Sequence, residues 1–182
     1  MSNQRTCIVV IAALAIFVSA CAAPTQLNER TGIAELDSII EIALSGDAAQ
    51  LRSLIEFTPA YCTNAEGLGG PPKCLPDEAE GAMVEVLPFL GAEGNFIRRS
   101  DIESWNGVQI ESLYAVYEVS DAAYSDENYP RGEYALVFLT DRGASITLQV
   151  TKGRIVRIDY GFMAPPVIDQ NTVVRYLVEP AN

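Results

Sequence analysis

From Ile33 to Leu44, apolar side chains recur at helical spacing, at Ile33, Leu36, Ile39, Ile40, Ala43 and Leu44, with Glu35, Asp37, Ser38 and Glu41 between them. That period predicts an amphipathic helix. Ser45-Gly46-Asp47 interrupts it: Gly46 suits a C-terminal cap and Asp47 an N-cap for a second helix. This second helix, with Ala48, Leu51, Leu54 and Ile55 inward, is expected to run to about Phe57 and stop at Thr58-Pro59.

The second half changes period. Leu113 to Val119, Tyr134 to Thr140, Ser145 to Thr151 and Arg154 to Tyr160 are rich in β-branched and aromatic residues and have strand lengths. Asp141-Arg142-Gly143 and Lys152-Gly153 join the last three as short turns. In the third, Ile146, Leu148 and Val150 alternate with Ser145, Thr147 and Gln149, so the second face is expected to meet solvent or a wet cavity. Met83 to Leu90 reads as a short strand that Pro88 limits to an edge or a strand end. Ser100-Asp101-Ile102-Glu103 is a capping-box signature for a helical turn reaching Trp105. Asn171 to Val178 reads as a closing helix or an edge strand, and Asn171 as an N-cap favours the helix. The expected fold is α+β, with an N-terminal helical hairpin packed on a curved antiparallel sheet, in a single domain over residues 33–182.

Ahead of that domain, Met1 to Thr6 is polar with Arg5, Cys7 to Val18 is apolar, and small residues precede Cys21. This is the plan of a secretory signal peptide. The apolar run is about a dozen residues, short of the roughly 20 that cross a bilayer core. Val18-Ser19-Ala20-Cys21 resembles the lipobox of bacterial lipoproteins. The resemblance implies that residues 1–20 are removed and that Cys21 is thioether-linked to diacylglycerol as the new N-terminus. Residues 21–32 are then a lipidated tether, and acyl chains on Cys21 are the attachment to the membrane. Ala22 stands where Asp would favour inner-membrane retention. The implied location is the cell envelope: the outer membrane where there is one, otherwise the outer face of the cell membrane. Ala22 to Gly32 reaches at most about 38 Å when extended, which keeps the domain near that surface.

Charge narrows the partners. The chain carries 12 basic and 24 acidic side chains, and losing residues 1–20 removes Arg5 alone, shifting the formal charge from −12 to −13. No basic cluster exists to neutralise phosphates, so nucleic acid is excluded as a partner. Asp121, Asp126, Glu127 and Asn128 lie in a long hairpin loop without EF-hand spacing, and read as a solvated turn.

With Cys7 in the leader and Cys21 taken by lipid, Cys62 and Cys74 remain as one pair. In an oxidising compartment the simplest reading is a disulfide, worth on the order of 3 kcal/mol for a loop of about 13 residues. The absence of any His and of a third thiol argues against zinc, and the spacing is not Cys-x-x-Cys. No metal or other cofactor is expected. Between the two cysteines, Gly67-Leu68-Gly69-Gly70-Pro71-Pro72 is neither helix nor central strand but a stapled loop. It lacks the Lys-Ser/Thr of a P-loop, so Gly67, Gly69 and Gly70 are candidates for a recognition edge and not for nucleotide binding.

The run Cys-Thr-x-Ala-Glu-Gly-Leu-Gly-Gly-Pro-Pro-Lys-Cys resembles a segment of uncharacterised bacterial secreted proteins, a likeness that brings no known activity. An apolar helix, a Gly-Asp break and Leu-x-x-Leu resemble the opening helices of NTF2-like domains, which implies a cone of the NTF2-like or cystatin-like kind. NTF2-like enzymes often pair Asp with His or Tyr. Here only Asp and Tyr exist, and Asp159 beside Tyr160, or Tyr114 and Tyr117, are the nearest candidates. Without His the Ser-His-Asp and Cys-His arrangements are excluded.

The reading favoured by the sequence is therefore not an enzyme but an anchored binding domain for an envelope protein or a small apolar ligand. Gly67, Gly69, Gly70, Trp105, Tyr114, Tyr117 and Asp159 are its candidate contact residues. The alternatives are a small-molecule enzyme with an Asp/Tyr cavity and a structural lipoprotein.

Overall fold

A computed structural model of the protein describes residues 30–91 and 94–180. The leader, Cys21 and most of the tether lie outside these residues. Two helices, α1 (Ala34–Ser45) and α2 (Ala48–Ser53), precede eight strands: β1 (Thr58–Tyr61), β2 (Met83–Leu90), β3 (Asn95–Arg98), β4 (Ser112–Val119), β5 (Tyr134–Leu139), β6 (Ser145–Thr151), β7 (Arg154–Gly161) and β8 (Val173–Val178). The strands form one sheet in the order β1-β2-β7-β6-β5-β4-β8, with β3 also on β2. Among the described residues no helix is long and apolar enough to cross a membrane.

Both helix boundaries follow from local chemistry. Gly46 closes α1 at φ 71°, a left-handed cap, and the Asp47 carboxylate accepts from the Gln50 amide at 3.0 Å to open α2. Leu36, Ile39, Ile40 and Ala43 form the buried stripe of α1 and join one core with Leu87, Val116, Leu136, Phe138, Leu148, Val150, Ile155 and Ile158. Leu36 and Ile39 are each 1 % exposed. Burying side chains of this kind contributes about 1.5–3 kcal/mol apiece, so α1 is held by its apolar stripe against the sheet.

The second helix is shorter than its pattern predicts. It stops at Ser53, because Leu54 to Glu56 turn to pair with β7: Ile155 donates to the Leu54 carbonyl and Glu56 donates to the Ile155 carbonyl, both at 2.9 Å. The chain then continues as β1, where Pro59 is exposed. The expectation of a purely antiparallel sheet is also corrected, since β2 and β7 are parallel, with Phe89 opposite Ile158 and Leu90 opposite Asp159. Tight turns enforce antiparallel pairing only between consecutive strands, and the whole β3–β6 segment separates these two. Pro88 is buried rather than on an edge. On one flank of β2, pairing to β1 ends at Val86 and pairing to β7 begins at Phe89, so Pro88 falls in the gap.

Two further expectations change. Residues 173–178 are the edge strand β8 on β4, not a closing helix. Asp169, rather than Asn171, caps a single 3-10 turn, Gln170–Thr172, and the adjacent β-branched valines then favour extension. The turn before Trp105 is present as a 3-10 helix over Arg99–Ser104, without the capping box, because Ser100 lies inside the turn and bonds Asp101. β3 has no counterpart among the strands expected from the pattern.

Candidate functional site

Two irregularities in the sheet decide which side chains meet on its helix-free face. In β4 the register shifts between Leu113 and Ala115. A regular strand would put Tyr114 and Tyr117 on opposite faces, whereas the bulge leaves both packed with Ala115, Ala135 and Val137 away from the helices. In β7 the register shifts at Val156, so Ile155 and Ile158 both enter the helix-side core while Arg157 and Asp159 face the other way. Gln149 of β6 is directly opposite Arg157.

These three polar residues form one connected group. The Arg157 Nε donates to Asp159 Oδ1 at 2.6 Å and its Nη2 to Oδ2 at 3.1 Å, and the Gln149 amide donates to Oδ2 at 2.9 Å. The Arg157 Nη1 donates to the carbonyls of Tyr124 and Tyr129, at 3.0 and 3.1 Å. Gln149 Oε1 accepts from the Gly132 amide at 3.0 Å. Arg157 is 3 % exposed and Gln149 5 %. The group thus fastens the Asp121–Gly132 loop over the sheet; along this face of β6 Ser145 and Gln149 are buried and Thr147 half-buried, with Gln149 in the wall of a cavity. At Gly132 a β-carbon would strike the backbone of Gln149, Val150 and Tyr134, so only glycine allows the loop to close.

Beside this group lies a cavity of about 320 Å³ whose walls include Tyr117, Tyr124, Gln149, Arg157, Asp159 and Tyr160. Burial pushes the Tyr117 phenol above its ordinary pKa, and the Asp159 charge adds to that effect. The structure therefore brings Tyr117 and Asp159 to one cavity, with Tyr114 on the same sheet face.

Trp105 lies elsewhere, in a cleft of about 290 Å³ with Phe89, Val108, Ile146, Tyr160 and Arg142. Its carbonyl accepts from Arg52 of α2 at 2.8 Å, and its ring packs on the helix-side core.

The stapled loop makes a third place. Cys62 and Cys74 are disulfide-bonded with Cα atoms 4.9 Å apart. Arg98 of β3 binds the loop to the sheet: its guanidinium donates to both Glu78 oxygens, at 2.6 and 2.8 Å, and to the Lys73 carbonyl at 2.7 Å. The Leu75 amide also donates to Glu78. The Arg98 hydrogen bonds, with that amide, hold the Glu78 carboxyl below its ordinary range. Glu78 also lies within ligand distance of the two cysteine sulfurs, but those sulfurs are spent on the disulfide. A cleft of about 430 Å³ opens beside the staple and is lined in part by Gly67, Leu68, Gly69, Lys73, Gly94 and Phe96; Gly70 is the next residue in the same loop.

Pattern reading missed Arg157, Gln149, Arg98 and Tyr129. A charge at every second position of an otherwise apolar strand, Arg157 and Asp159, is the signal that marks the first. Arg98 had none, because β3 itself is too short to read. No protein-family model, curated protein or solved structure matches the chain.

Proposed function

We propose that this chain is a lipid-anchored envelope protein whose domain binds a partner and performs no chemistry. The observation that supports a binding role is the condition of Asp159. Both its oxygens are engaged by Arg157, and one also accepts from Gln149. A general base needs a lone pair directed at the proton it removes, whereas this carboxylate serves as counter-ion to a buried guanidinium. The space between α1 and the sheet is filled by Leu36, Ile39, Leu136, Phe138 and their neighbours, so binding is assigned to the surface clefts and not to the sheet's concavity. The address rests on Val18 to Cys21, with the outer membrane the destination where one exists. The NTF2-like resemblance enters only through two short helices beside a sheet, and carries no activity to this chain.

A small-molecule enzyme is the second reading, and the cavity of about 320 Å³ shared by Tyr117 and Asp159 favours it. The two are separated by native mass spectrometry of the full chain extracted from envelope membranes in mild detergent. A partner held at fixed stoichiometry and lost on shortening the stapled loop, with Asp159→Asn unaffected, is expected. A bare chain, or a small-molecule adduct lost only in folded Asp159→Asn, contradicts the binding role proposed here.

A further inference from the structure

Behind the cleft beside the Cys62–Cys74 staple stands a polar group without a partner among the described residues. Tyr129 is 3 % exposed, and its hydroxyl makes no hydrogen bond among the described residues. Such a buried hydroxyl costs about 1–3 kcal/mol and asks for a reason. It rests against Gly94, where a β-carbon would collide with it and lie 3.6 Å from the Gly69 Cα. Both glycines line the cleft and Tyr129 does not; the hydroxyl is sealed from solvent behind their backbones.

The front of the cleft is rich in donors. Gly67, Gly69 and Gly70 have φ of 112°, 73° and 71°, while Leu68 between them is not in the positive region. Neighbouring residues of opposite φ sign turn successive N–H groups to one side, as in an anion-accepting nest. Among the described residues, no hydrogen bond engages the N–H groups of Gly67 to Gly70. Lys73 belongs to no ion pair among the described residues, its ammonium donating to the Ala65 carbonyl at 2.9 Å. Among the described residues Asp101 is the one carboxylate in the lining, and Leu68, Pro71, Leu75 and Phe96 give apolar walls. At about 430 Å³ the cleft falls in the range of about 300–1,000 Å³ typical of ligand sites.

We infer that this cleft captures the C-terminus of an apolar peptide or protein tail, an assignment that rests on the binding role proposed above. The terminal carboxylate lies on the loop amides and Lys73, and the last side chain packs on the apolar walls.

The test titrates an acetylated tetrapeptide of sequence AAVL, as free acid and as C-terminal amide, into the ¹⁵N-labelled full chain in detergent micelles. The acid is expected to move the amide signals of Gly67 to Gly70 saturably, and the amide form to bind about tenfold or more weakly, the equivalent of one charge-assisted hydrogen bond. Lys73→Met is expected to bind the acid several-fold more weakly while melting close to wild type. Unmoved glycine signals, equal affinity for acid and amide, or an unchanged affinity in Lys73→Met overturns the assignment. Should Lys73→Met not fold, the acid-against-amide comparison in wild type decides alone. A partner detected by native mass spectrometry while the glycine signals stay still defeats this site and leaves the binding role standing; failure of both measurements defeats both.

Discussion

Arg157 and Asp159, two residues apart on β7, pair through two hydrogen bonds of 2.6 and 3.1 Å on the face of the sheet that the helices do not cover. The Arg157 side chain is 4 % exposed and that of Asp159 24 %, so the cation depends on the anion for its burial. Removing one partner of a buried pair costs about 3–5 kcal/mol, because the other charge is left uncompensated. Asp159→Ala is therefore expected to lower unfolding free energy in urea by about that amount. Replacing both, as Arg157→Met with Asp159→Leu, is expected to recover most of it. A loss below about 1 kcal/mol in Asp159→Ala would show that the pair does not hold the Asp121–Gly132 loop in place.

Gly94 and Tyr129 form a second dependence between distant segments. Gly94 has φ 65°, and a β-carbon there would collide with the Tyr129 hydroxyl. Gly94→Ala is expected to cost about 1–3 kcal/mol from backbone strain and overpacking together. Tyr129→Phe alone is expected to stabilise by about 1 kcal/mol, since it deletes a buried hydroxyl without a partner among the described residues. Combined, the two should be less harmful than Gly94→Ala by more than that gain. Strict additivity in a thermal double-mutant cycle would mean that the two groups do not touch.

The ion pair of Glu78 and Arg98 makes the stapled loop sensitive to acid. Arg98 holds the Glu78 carboxyl below its ordinary 4.5, so the folded state binds this proton less readily than the unfolded chain. The contribution is present above the unfolded value and is lost as pH falls through the lowered folded one. Amide exchange of residues 62–75 is expected to quicken, relative to the intrinsic rate, as pH drops below about 4. Glu78→Gln should abolish that pH dependence. Equal protection at pH 3 and pH 6 in wild type would show that the pair does not fasten the loop.

What the pattern made legible was local. The α1 stripe from Leu36 to Ala43, the Gly46 and Asp47 caps and strands β4 to β7 all follow from spacing of a few residues, and the pairing of Cys62 with Cys74 from their being the two cysteines left over. Partner choice between remote segments does not, so the parallel contact of Phe89 with Ile158 and the edge position of β8 were hidden. Bulges at Tyr114 and Val156 shift a period-two pattern by one residue without leaving any composition signal, yet they decide which side chains share the Tyr117 cavity. Of the candidate contacts, Tyr117 and Asp159 came together as neighbours, the glycines line or flank their own cleft, and Trp105 stands in a third. Arg157, the residue that makes Asp159 a counter-ion, had no reading of its own beyond its place in the strand Arg154 to Tyr160.

All of this acquires a cellular meaning only if the chain is anchored where Val18 to Cys21 direct it, and one labelling experiment addresses that directly. Cells expressing the chain are grown with radioactive palmitate, and the protein is recovered from membranes for mapping of its N-terminal peptide. Wild type is expected to carry label on a mature chain beginning at Cys21, while Cys21→Ala accumulates as an unlabelled precursor. Label retained in Cys21→Ala, or an unlabelled wild-type chain still beginning at Met1, would contradict the envelope-lipoprotein assignment.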